Sequence, residues 1–444
     1  MNLISTPNHN PTSPLSPNHH RELEAIVGES GIYACRDIDP IDQNRIFQSI
    51  TAETPVNSII YPNNQAELAA VIAYAKQHQL GILPCGNRSK LRWGGLVKNV
   101  NLVVSTQRLN QLIEHAVGDL TVTIEAGMSF TQLQQILAET GQFLALDPAY
   151  SENATIGGII ATGDTGSLRQ RYRGVRDQLL GVSFVRSDGK IAKAGGRVVK
   201  NVAGYDLMKL LTGSYGTLGI ISQITLRVYP VSPASQTVLL TGNSTEIATA
   251  TQTLLSSALT PVAVDLLSPQ LMEKLNQSSE MGLIVRFQSL PESVEQQASR
   301  LLEVGEKLGL KGERYTQDDD RLWQQLKQLI WQPDESPKII CKIGVTPTEA
   351  VATLNECQAL GFIHAGVGLG VLRWETVNPE HLLKLRNWCN NKGGFLSILD
   401  APPDFKQQLE VWGYNGNALD LMRRIKQQFD PQNLFSPHRF VGDI

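Results

Sequence analysis

The sequence has few of the residues that build metal clusters, membrane anchors or nucleic-acid surfaces. Its 444 residues include five cysteines, which are scattered and form no CxxC or CxxH spacing: Cys35, Cys85, Cys341, Cys357 and Cys389. This excludes an iron–sulfur cluster, which needs closely spaced thiolates, and favours reduced thiols in a cytoplasm. With a formal net charge of -3 and no lysine or arginine run, the chain has no nucleic-acid footprint. No apolar run is long enough to span a bilayer.

The first 20 residues are rich in proline, asparagine, serine and histidine, and they lack the basic start and apolar block of a signal peptide. This composition buries too little apolar surface to offset chain entropy, so we expect residues 1–20 to form a disordered tail. His9, His19 and His20 offer metal ligands, but a solvated tail is the alternative, and we predict no metal site.

From Pro55 onward, short apolar runs alternate with amphipathic windows, a pattern typical of an α+β or α/β domain. We expect an N-terminal helical segment over residues 21–54 and a first domain over residues 55–230. Strands are predicted at Ser58–Tyr61, Gly81–Pro84, Leu102–Ser105, Thr121–Ala126, Gly181–Arg186 and Thr217–Val228, and helices at Asn64–Gln79, Phe130–Thr140 and Tyr205–Leu211. Pro230, Pro233 and the serine- and threonine-rich stretch after them mark the domain boundary.

The second domain, residues 231–415, has the alternation of a ferredoxin-like α+β fold. Strands are predicted at Val262–Leu267, Gly282–Ser289, Lys338–Val345 and His364–Trp374, and helices at Pro291–Leu308, Thr348–Leu360 and Pro379–Asn390. The polar segment Gln317–Glu335 is rich in tryptophan and glutamine, and we expect a loop and helix near a site. Residues 416–444 form a closing helix, Leu419–Phe429, and a tail.

Four glycine-punctuated segments follow one another in the first domain: Pro84–Lys90, Asp147–Thr165, Gly195–Leu207 and Gly213–Ile221. In order, they describe a cradle for a large phosphorylated cofactor. Pro84–Lys90 follows a buried strand and offers successive backbone N–H groups, two cationic side chains and a hydroxyl, which suit a pyrophosphate. A plain polar surface loop is the alternative.

Thr155 is a good N-cap residue, and Gly157 and Gly158 follow it in the first turn of a predicted helix. A helix N-terminus there would direct free N–H groups and the positive end of the dipole at an anion. Glycines so early in a helix are costly unless something needs the space, although close packing is the alternative reason.

The last two glycine segments contain the most specific sequence of the chain, Lys200-Asn201-Val202-Ala203-Gly204-Tyr205-Asp206-Leu207 and Gly213-Ser214-Tyr215-Gly216-Thr217-Leu218-Gly219-Ile220-Ile221. The pair resembles the KNVxGYDL and GSEGTLGII motifs of FAD-binding domains of the vanillyl-alcohol oxidase or PCMH type, most closely the glycolate oxidase and D-lactate dehydrogenase group. The resemblance covers residues 55–230. A second match lies at residues 421–426 and 429–435, where the family has LMRRIKxxFDPxxLxNP and this chain has Ser436-Pro437 for Asn-Pro.

The resemblance implies an α+β protein with a two-lobed PCMH-type FAD-binding domain, a cap domain and a C-terminal helix that returns to the FAD domain. Many relatives attach FAD through a histidine in the first loop, and Pro84–Lys90 has none, so we expect non-covalent FAD. The implied cofactor residues are Pro84, Cys85, Gly86, Asn87, Arg88, Ser89, Lys90, Asp147, Pro148, Thr155, Gly157, Gly158, Thr162, Gly163, Asp164, Thr165, Gly216, Gly219, Ile220 and Ile221. The rival motif Gly366–Gly370 has GxGxG spacing and no helix start, which argues against a nicotinamide site.

Catalysis is the point where the chain departs from the family. Full enzymes of this group carry an H-x-G-D-G-N-x-H run that binds a divalent metal, and this chain has His364-Ala365-Gly366-Val367-Gly368-Leu369-Gly370 there. The aspartate, asparagine and second histidine are absent. Lys342 and Arg373 are candidates for holding a substrate carboxylate and His364 for taking a proton, with packed or ion-paired roles as the alternatives. Tyr215 stands where relatives commonly carry glutamate.

These features together resemble the FAD-binding subunit of a glycolate oxidase. That resemblance implies a cytoplasmic protein, or one peripheral at the membrane through its partners, assembled with a second flavin subunit and an iron–sulfur subunit. Two alternatives remain open: a self-sufficient dehydrogenase of a small D-2-hydroxy acid, and a non-catalytic scaffold subunit.

Overall fold

A computed structural model describes residues 16–54, 56–196, 205–332 and 338–444 of the chain. The first lobe contains α1 (Pro17–Val27), β1 (Ile32–Ala34), α2 (Pro40–Phe47), β2 (Ser58–Ile60), α3 (Gln65–Gln77), β3 (Ile82–Cys85) and β4 (Leu102–Ser105). Its strands lie in the order β1-β2-β4-β3, and β2, β4 and β3 run parallel. The apolar positions of α3 that repeat at helical spacing are buried against this sheet, as the sequence predicted.

The second lobe is built around an antiparallel sheet of the order β5-β6-β10-β8-β9. Its elements are β5 (Leu112–Ala116), β6 (Thr121–Glu125), α4 (Phe130–Ala138), β7 (Gln142–Phe143), α5 (Ile156–Thr162), α6 (Arg169–Tyr172), α7 (Val175–Gln178), β8 (Leu179–Val185), β9 (Ile191–Gly195), α8 (Leu207–Leu211), β10 (Ile220–Arg227) and β11 (Tyr229–Pro230). The apolar residues of α4, α5 and α8 share one buried core with this sheet. The short strands β7 and β11 pair separately.

The cap is an eight-stranded antiparallel sheet made of two ferredoxin-like halves. The first half has β12 (Ala234–Gly242), α9 (Ser244–Leu255), β13 (Ala263–Leu267), α10 (Pro269–Lys274), β14 (Met281–Ser289), α11 (Pro291–Lys307) and β15 (Lys311–Tyr315). After α12 (Asp319–Trp331), the second half has β16 (Ile339–Gly344), α13 (Ala350–Glu356), β17 (Leu360–His364), β18 (Leu369–Trp374), α14 (Pro379–Asn391), β19 (Phe395–Asp400) and α15 (Pro403–Gln408). The strand order β15-β12-β14-β13-β17-β18-β16-β19 repeats the βαββαβ topology in mirrored order, and β13 and β17 join the halves.

The C-terminal helix α16 (Leu419–Phe429) returns to the two N-terminal lobes. Phe429 stacks on Phe184 of β8, and the chain then pairs with β3 through Phe435 and Ile82. The buried Lys426 ammonium donates to Asp430 at 2.7 Å and to the carbonyls of Thr217 and Phe435. The tail therefore connects α16, the first lobe and the glycine segment that begins at Gly213.

Three expectations concern residues that the structure describes differently or not at all. The disordered tail was expected to reach residue 20, but α1 begins at Pro17, because Ser16 caps it and Leu23 and Val27 are buried. Residues 1–15 lie outside the described residues. So do residues 197–204, which hold most of the KNVxGYDL-like motif, and residues 333–337.

The single strand expected at His364–Trp374 is wrong, because β17 and β18 form a hairpin there. Gly368 lies in its turn at φ +69°, and a Cβ at this position would lie 1.9 Å from the Val345 carbonyl oxygen. The glycine run thus serves a tight turn rather than a nucleotide.

The serine- and threonine-rich stretch after Pro233, expected to mark the domain boundary, contains β12, a fully paired strand of the cap sheet. Its hydroxyl side chains suggested a linker, but in the structure they belong to a buried hydrogen-bond network. Ser235 and Thr237 both donate to the Asp319 carboxylate, and the Trp323 indole donates to Thr237 at 2.8 Å.

No helix among residues 16–54, 56–196, 205–332 and 338–444 is both long and apolar enough to cross a membrane.

The ion pair of Lys426 and Asp430 gives a stability prediction. Lys426→Met leaves the fully buried Asp430 carboxylate without its counter-charge, so we expect the free energy of unfolding to fall by about 3–5 kcal/mol. Urea unfolding followed by tryptophan fluorescence measures it. Lys392→Met is the matched control, because the Lys392–Glu349 pair is about one third exposed and is worth less than ~1 kcal/mol. Equal losses of unfolding free energy in the two variants would contradict the stabilising role of the Lys426–Asp430 pair.

Candidate functional site

Two adjoining cavities occupy the centre of the molecule. The first, of about 700 Å³, lies between the two lobes, and the second, of about 760 Å³, lies between the second lobe and the cap. Thr162 and Tyr215 line both cavities. The two cavities therefore share part of their walls.

The first cavity collects most of the residues that the sequence assigned to the cofactor: Pro84, Cys85, Gly86, Asn87, Arg88, Ser89, Lys90, Thr155, Gly157, Gly158, Thr162, Gly216, Gly219, Ile220 and Ile221. Four others, Asp147, Gly163, Asp164 and Thr165, line the second cavity instead. Pro148 is buried and belongs to neither wall. Three of the four glycine segments, Pro84–Lys90, Asp147–Thr165 and Gly213–Ile221, thus meet around one space.

The loop Pro84–Lys90 offers backbone N–H groups, rather than charged side chains, to a ligand. The N–H groups of residues 87–90 have no acceptor among the residues that the structure describes, and Arg88 lies in the left-handed region at φ +59°. Successive free amides around such a residue form a nest that binds anionic oxygens. The loop fits a pyrophosphate on this observation.

The two cations of the loop, which were expected to flank the phosphates, each form an ion pair within the protein. The Arg88 guanidinium lies 2.6 Å from the Asp42 carboxylate, and the Lys90 ammonium lies 2.8 Å from that of Asp164. Burial lowers the pKa of Lys90, and the Asp164 charge opposes this effect. The side chains fix the loop, and the amides remain for the ligand.

The start of α5 also differs from expectation. Its first-turn N–H groups are bonded within the protein: Ile156 to the Met128 carbonyl, Gly157 to the Ala126 carbonyl and Gly158 to Thr155 Oγ1. The predicted free amides at this helix end are absent, because the segment after β6 pairs with the chain at Thr155. Close approach explains Gly86, where a Cβ would lie 2.0 Å from Thr155 Oγ1.

Arg439 is a wall residue of the first cavity that the sequence did not reveal. Its buried guanidinium donates to the carbonyls of Lys90, Leu91 and Trp93. Burial lowers the pKa of Arg439 to about 10, so the group stays charged near neutral pH. The tail thereby holds the far end of the Pro84–Lys90 loop from behind.

The second cavity is rich in charge. Arg169, Lys327 and Lys342 line it together with Asp147 and Asp265. Burial lowers the pKa of Lys342, and the nearby Arg169 adds to the effect. Burial also raises the pKa of Asp147, which accepts the N–H groups of Ser167 and Leu168. Arg169, Lys327 and Lys342 carry three positive charges, and Asp147 and Asp265 carry two negative charges, which leaves an excess of one positive charge. Asp164 is not counted, because its charge is paired with that of Lys90.

His364 lies in this wall and is oriented by Asp265. The two residues face each other across the β13–β17 pairing, with His364 Nδ1 at 2.7 Å from Asp265 Oδ1. Because a carboxylate only accepts, Nδ1 donates to Asp265, and in the neutral imidazole this places the lone pair on Nε2. Ser167 donates to the other oxygen of Asp265. This arrangement makes His364 a candidate general base rather than an isolated strand residue.

Of the other two catalytic candidates, Lys342 lines the second cavity and Arg373 does not. Arg373 Nη1 donates to the carbonyls of Leu329 at 2.8 Å and Ile330 at 3.3 Å. It therefore caps the C-terminal end of α12, where a cation is favourable. Arg373 thus lies at the end of α12 rather than in the cavity wall, and its position gives no support to the expected role in holding a carboxylate.

The remaining wall of the second cavity is aromatic and apolar, and α12 supplies much of it. Trp323, Leu326 and Trp331 of α12 line the space with Trp93 and Phe362. Trp331 lies 5.6 Å from Trp93 between ring centroids. The expectation that Gln317–Glu335 forms a helix near a site is confirmed for its described residues.

The sequence contained a signal for some of the residues that were missed. Asp265 is the single charge in the predicted strand Val262–Leu267, and a buried charge in an apolar strand indicates a partner. Arg169 and Lys327 carry no such signal, because their position depends on how the cap sits on the second lobe.

Comparison with known protein families matches two parts of the chain. The model described as "FAD binding domain" matches residues 56–195, and the one described as "FAD linked oxidases, C-terminal domain" matches residues 408–440. The first includes the Pro84–Lys90 loop and α5, and the second includes α16 and Arg439. Residues that line the first cavity thus lie in both matched segments.

Several curated proteins are similar over much of the chain. The D-lactate dehydrogenase of Archaeoglobus fulgidus is 24% identical over 411 residues, covering 87% of this chain and 91% of the relative. The glycolate oxidase subunit GlcE of Escherichia coli is 28% identical over 363 residues, 81% of this chain and 92% of the relative. A D-2-hydroxyglutarate dehydrogenase of Xanthomonas citri is 34% identical, but only over 41% of this chain and 39% of the relative.

Solved structures of the same fold cover nearly the whole chain. An alkyldihydroxyacetonephosphate synthase has a TM-score of 0.72 at 16% identity, over 96% of this chain and 87% of the other. A p-cresol methylhydroxylase structure with substrate bound has a TM-score of 0.72 at 14% identity, over 96% and 97%. These likenesses confirm the α+β fold of the PCMH type.

The open face of Gly158 gives a cofactor prediction. An added Cβ there would meet only Thr155 Oγ1, at 3.1 Å, and Gly158 lines the first cavity. Gly158→Leu should therefore fill the cavity and abolish FAD binding without unfolding the chain. FAD released into the supernatant by acid, per mole of chain, measures it, and release from the wild type also tests the expected non-covalent attachment. Gly118→Leu, at a glycine with no neighbour within 4 Å, should keep its FAD, and equal FAD in both variants would contradict the assignment.

The first cavity, the family matches and the relatives agree on the cofactor. The free amides of residues 87–90 suit its pyrophosphate, and the matched families are defined by FAD. The second cavity shares the wall residues Thr162 and Tyr215 with the first. The chain is an FAD-dependent oxidoreductase, and its residues 56–195 and 408–440 match the models of an FAD binding domain and of the C-terminal domain of FAD linked oxidases.

Proposed function

We propose that the chain oxidises a 2-hydroxy acid in the second cavity, with non-covalent FAD in the first. The observation that carries the proposal is the His364–Asp265 pair in a wall that also holds Arg169, Lys327 and Lys342. Oxidation of a 2-hydroxy acid requires a base for the proton of the hydroxyl group and cations for the adjacent carboxylate. Relatives named for D-lactate, glycolate and D-2-hydroxyglutarate support the substrate class.

The residues divide the work between binding and proton transfer. The excess positive charge attracts a monoanionic substrate, and Lys342 and Arg169 hold its carboxylate. His364 Nε2 takes the proton of the 2-hydroxyl group, while Asp265 stabilises the imidazolium that forms. When bound, FAD supplies the acceptor for the hydride that leaves C2. The product is a 2-oxo acid.

The aromatic wall bears on the side chain of the substrate. Trp93, Trp323 and Trp331 offer an apolar surface that glycolate, which has no side chain, would leave without a partner. Burial of apolar surface is favourable by roughly 25 cal/mol per Å². We therefore infer that 2-hydroxy acids with an apolar or aromatic side chain bind more tightly than glycolate.

The direct test is anaerobic bleaching of the FAD absorbance by a panel of substrates: glycolate, D- and L-lactate, D-2-hydroxyglutarate and 3-phenyllactate. Bleaching of the isolated chain supports the proposal, and a higher kcat/KM for 3-phenyllactate than for glycolate supports the apolar wall. If no 2-hydroxy acid reduces the flavin with or without partner proteins, the proposal fails.

Replacement of the candidate base should reduce the rate with little effect on binding. His364→Gln keeps a hydrogen-bonding side chain but removes the base, so we expect kcat to fall by about 10²- to 10⁴-fold with KM changed less. Steady-state kinetics and bound FAD are measured together. His115→Gln is the control, because His115 bonds to Gln142 and lines neither cavity. A fully active His364→Gln protein would remove the histidine from the reaction.

Loss of Lys342 should instead weaken binding. We expect Lys342→Met to raise KM by about 10- to 100-fold, because a hydrogen bond to a charged group is lost. Since the pKa of Lys342 is lowered, the wild-type KM should already rise with pH below the range where an ordinary lysine loses its charge. The variant should lack this rise in its pH profile, and an unchanged KM would contradict the assignment.

A second candidate function is that of an FAD-binding subunit in a glycolate oxidase-type complex. The match to GlcE along 92% of that relative favours it, as does the lack of any CxxC spacing for an iron–sulfur acceptor in the sequence. In this case the chain works in the cytoplasm, or at the membrane face through partners, beside a second flavin subunit and an iron–sulfur subunit. Co-purification of both from the native host supports the subunit role. Bleaching by a 2-hydroxy acid with the chain alone, and no co-purifying partner, excludes it.

A further inference from the structure

A cluster of potential metal ligands lies where α1 packs on α3, and none of its residues lines either cavity. His19 and Glu22 are three residues apart on α1, and His78 ends α3. One potential ligand atom from each of the three residues lies within 4.8 Å of the other two. The rings of His19 and His78 are 4.9 Å apart between centroids.

Tyr74 organises this cluster from behind. Its hydroxyl donates to the Glu22 carboxylate and lies 2.6 Å from His19 Nδ1. Because the hydroxyl hydrogen points to Glu22, His19 Nδ1 donates to the hydroxyl oxygen, so Tyr74 connects two of the three residues. An outer hydrogen-bond partner is a common feature of metal-binding histidines.

Two imidazoles and one carboxylate form a donor set that suits Zn²⁺, which is bound by histidine nitrogen and carboxylate oxygen in tetrahedral sites. Three protein ligands leave a fourth position for water. The ligands come from two helices, so an ion here would join them. Helix α1 has 11 residues, a length at which a helix depends on its packing.

We propose that His19, Glu22 and His78 bind a divalent transition-metal ion of the Zn²⁺ type, which fastens α1 to α3. A metal ion here would be contrary to the expectation that the first 20 residues carry no metal site. The site is structural, because its residues contact neither cavity wall. It is independent of the proposed reaction.

The test uses the untagged full-length protein, treated with chelator and titrated with Zn²⁺ against a chromophoric indicator. We expect about one Zn²⁺ per wild-type chain, and an affinity at least tenfold lower in His78→Gln. His20→Gln is the matched control, because His20 is the neighbour of His19 but is not part of the cluster, and it should bind like the wild type.

Two further readouts separate the site from the reaction. Zn²⁺ should raise the Tm of the wild type and of His20→Gln by a few degrees, but not that of His78→Gln, since an ion that binds only the folded state stabilises it. FAD content and substrate-driven bleaching should be the same with and without Zn²⁺. A wild type that binds no Zn²⁺ at micromolar concentration, or a His78→Gln variant that binds like the wild type, overturns the proposal.

Discussion

The ion pair of Lys90 and Asp164 is the contact on which both cavities depend. Lys90 belongs to the cofactor loop of the first lobe, and Asp164 follows α5 in the second lobe and lines the second cavity. Both side chains are largely withdrawn from water, and Asp164 also accepts the N–H of Ala149. Removal of either partner would leave a buried charge, which is strongly destabilising. The pair therefore fixes part of the wall that the two cavities share, and it leaves the loop amides available to an anionic ligand.

The second cavity owes its chemistry to the seam of the duplicated cap. Each half is a complete ferredoxin-like unit, and the halves meet where β13 pairs with β17. That register sets Asp265 of the first half opposite His364 of the second. The helix between the halves, α12, covers the same region with its tryptophans. One unit alone could not place Asp265, His364 and the apolar wall of α12 around one space.

Local elements were predictable wherever their cause was local. Leu102–Ser105 and Leu419–Phe429 were predicted with the bounds that the structure gives, because apolar periodicity and flanking polar residues mark them. The errors share a different cause. Strand β12 was hidden because its hydroxyls bond to α12, the amides of α5 were expected to be free although the segment after β6 accepts them, and Arg373 serves a distant helix end. Each depends on a partner far away in sequence, which periodicity does not reveal.

The charge of the second cavity argues against a purely structural role for the chain. Arg169, Lys327 and Lys342 face this space, and burial lowers the pKa of both Arg169 and Lys342. Charged side chains withdrawn from water cost stability even with opposite charges such as Asp147 and Asp265 beside them, and apolar residues of similar volume are often neutral or stabilising in their place. A scaffold that only binds a partner has no use for such a cavity. The cations are physically reasonable if an anion enters, and the base beside them is reasonable if that anion carries a hydroxyl group. The cost in stability thus supports the proposal that this chain has a substrate site of its own, within a complex or alone.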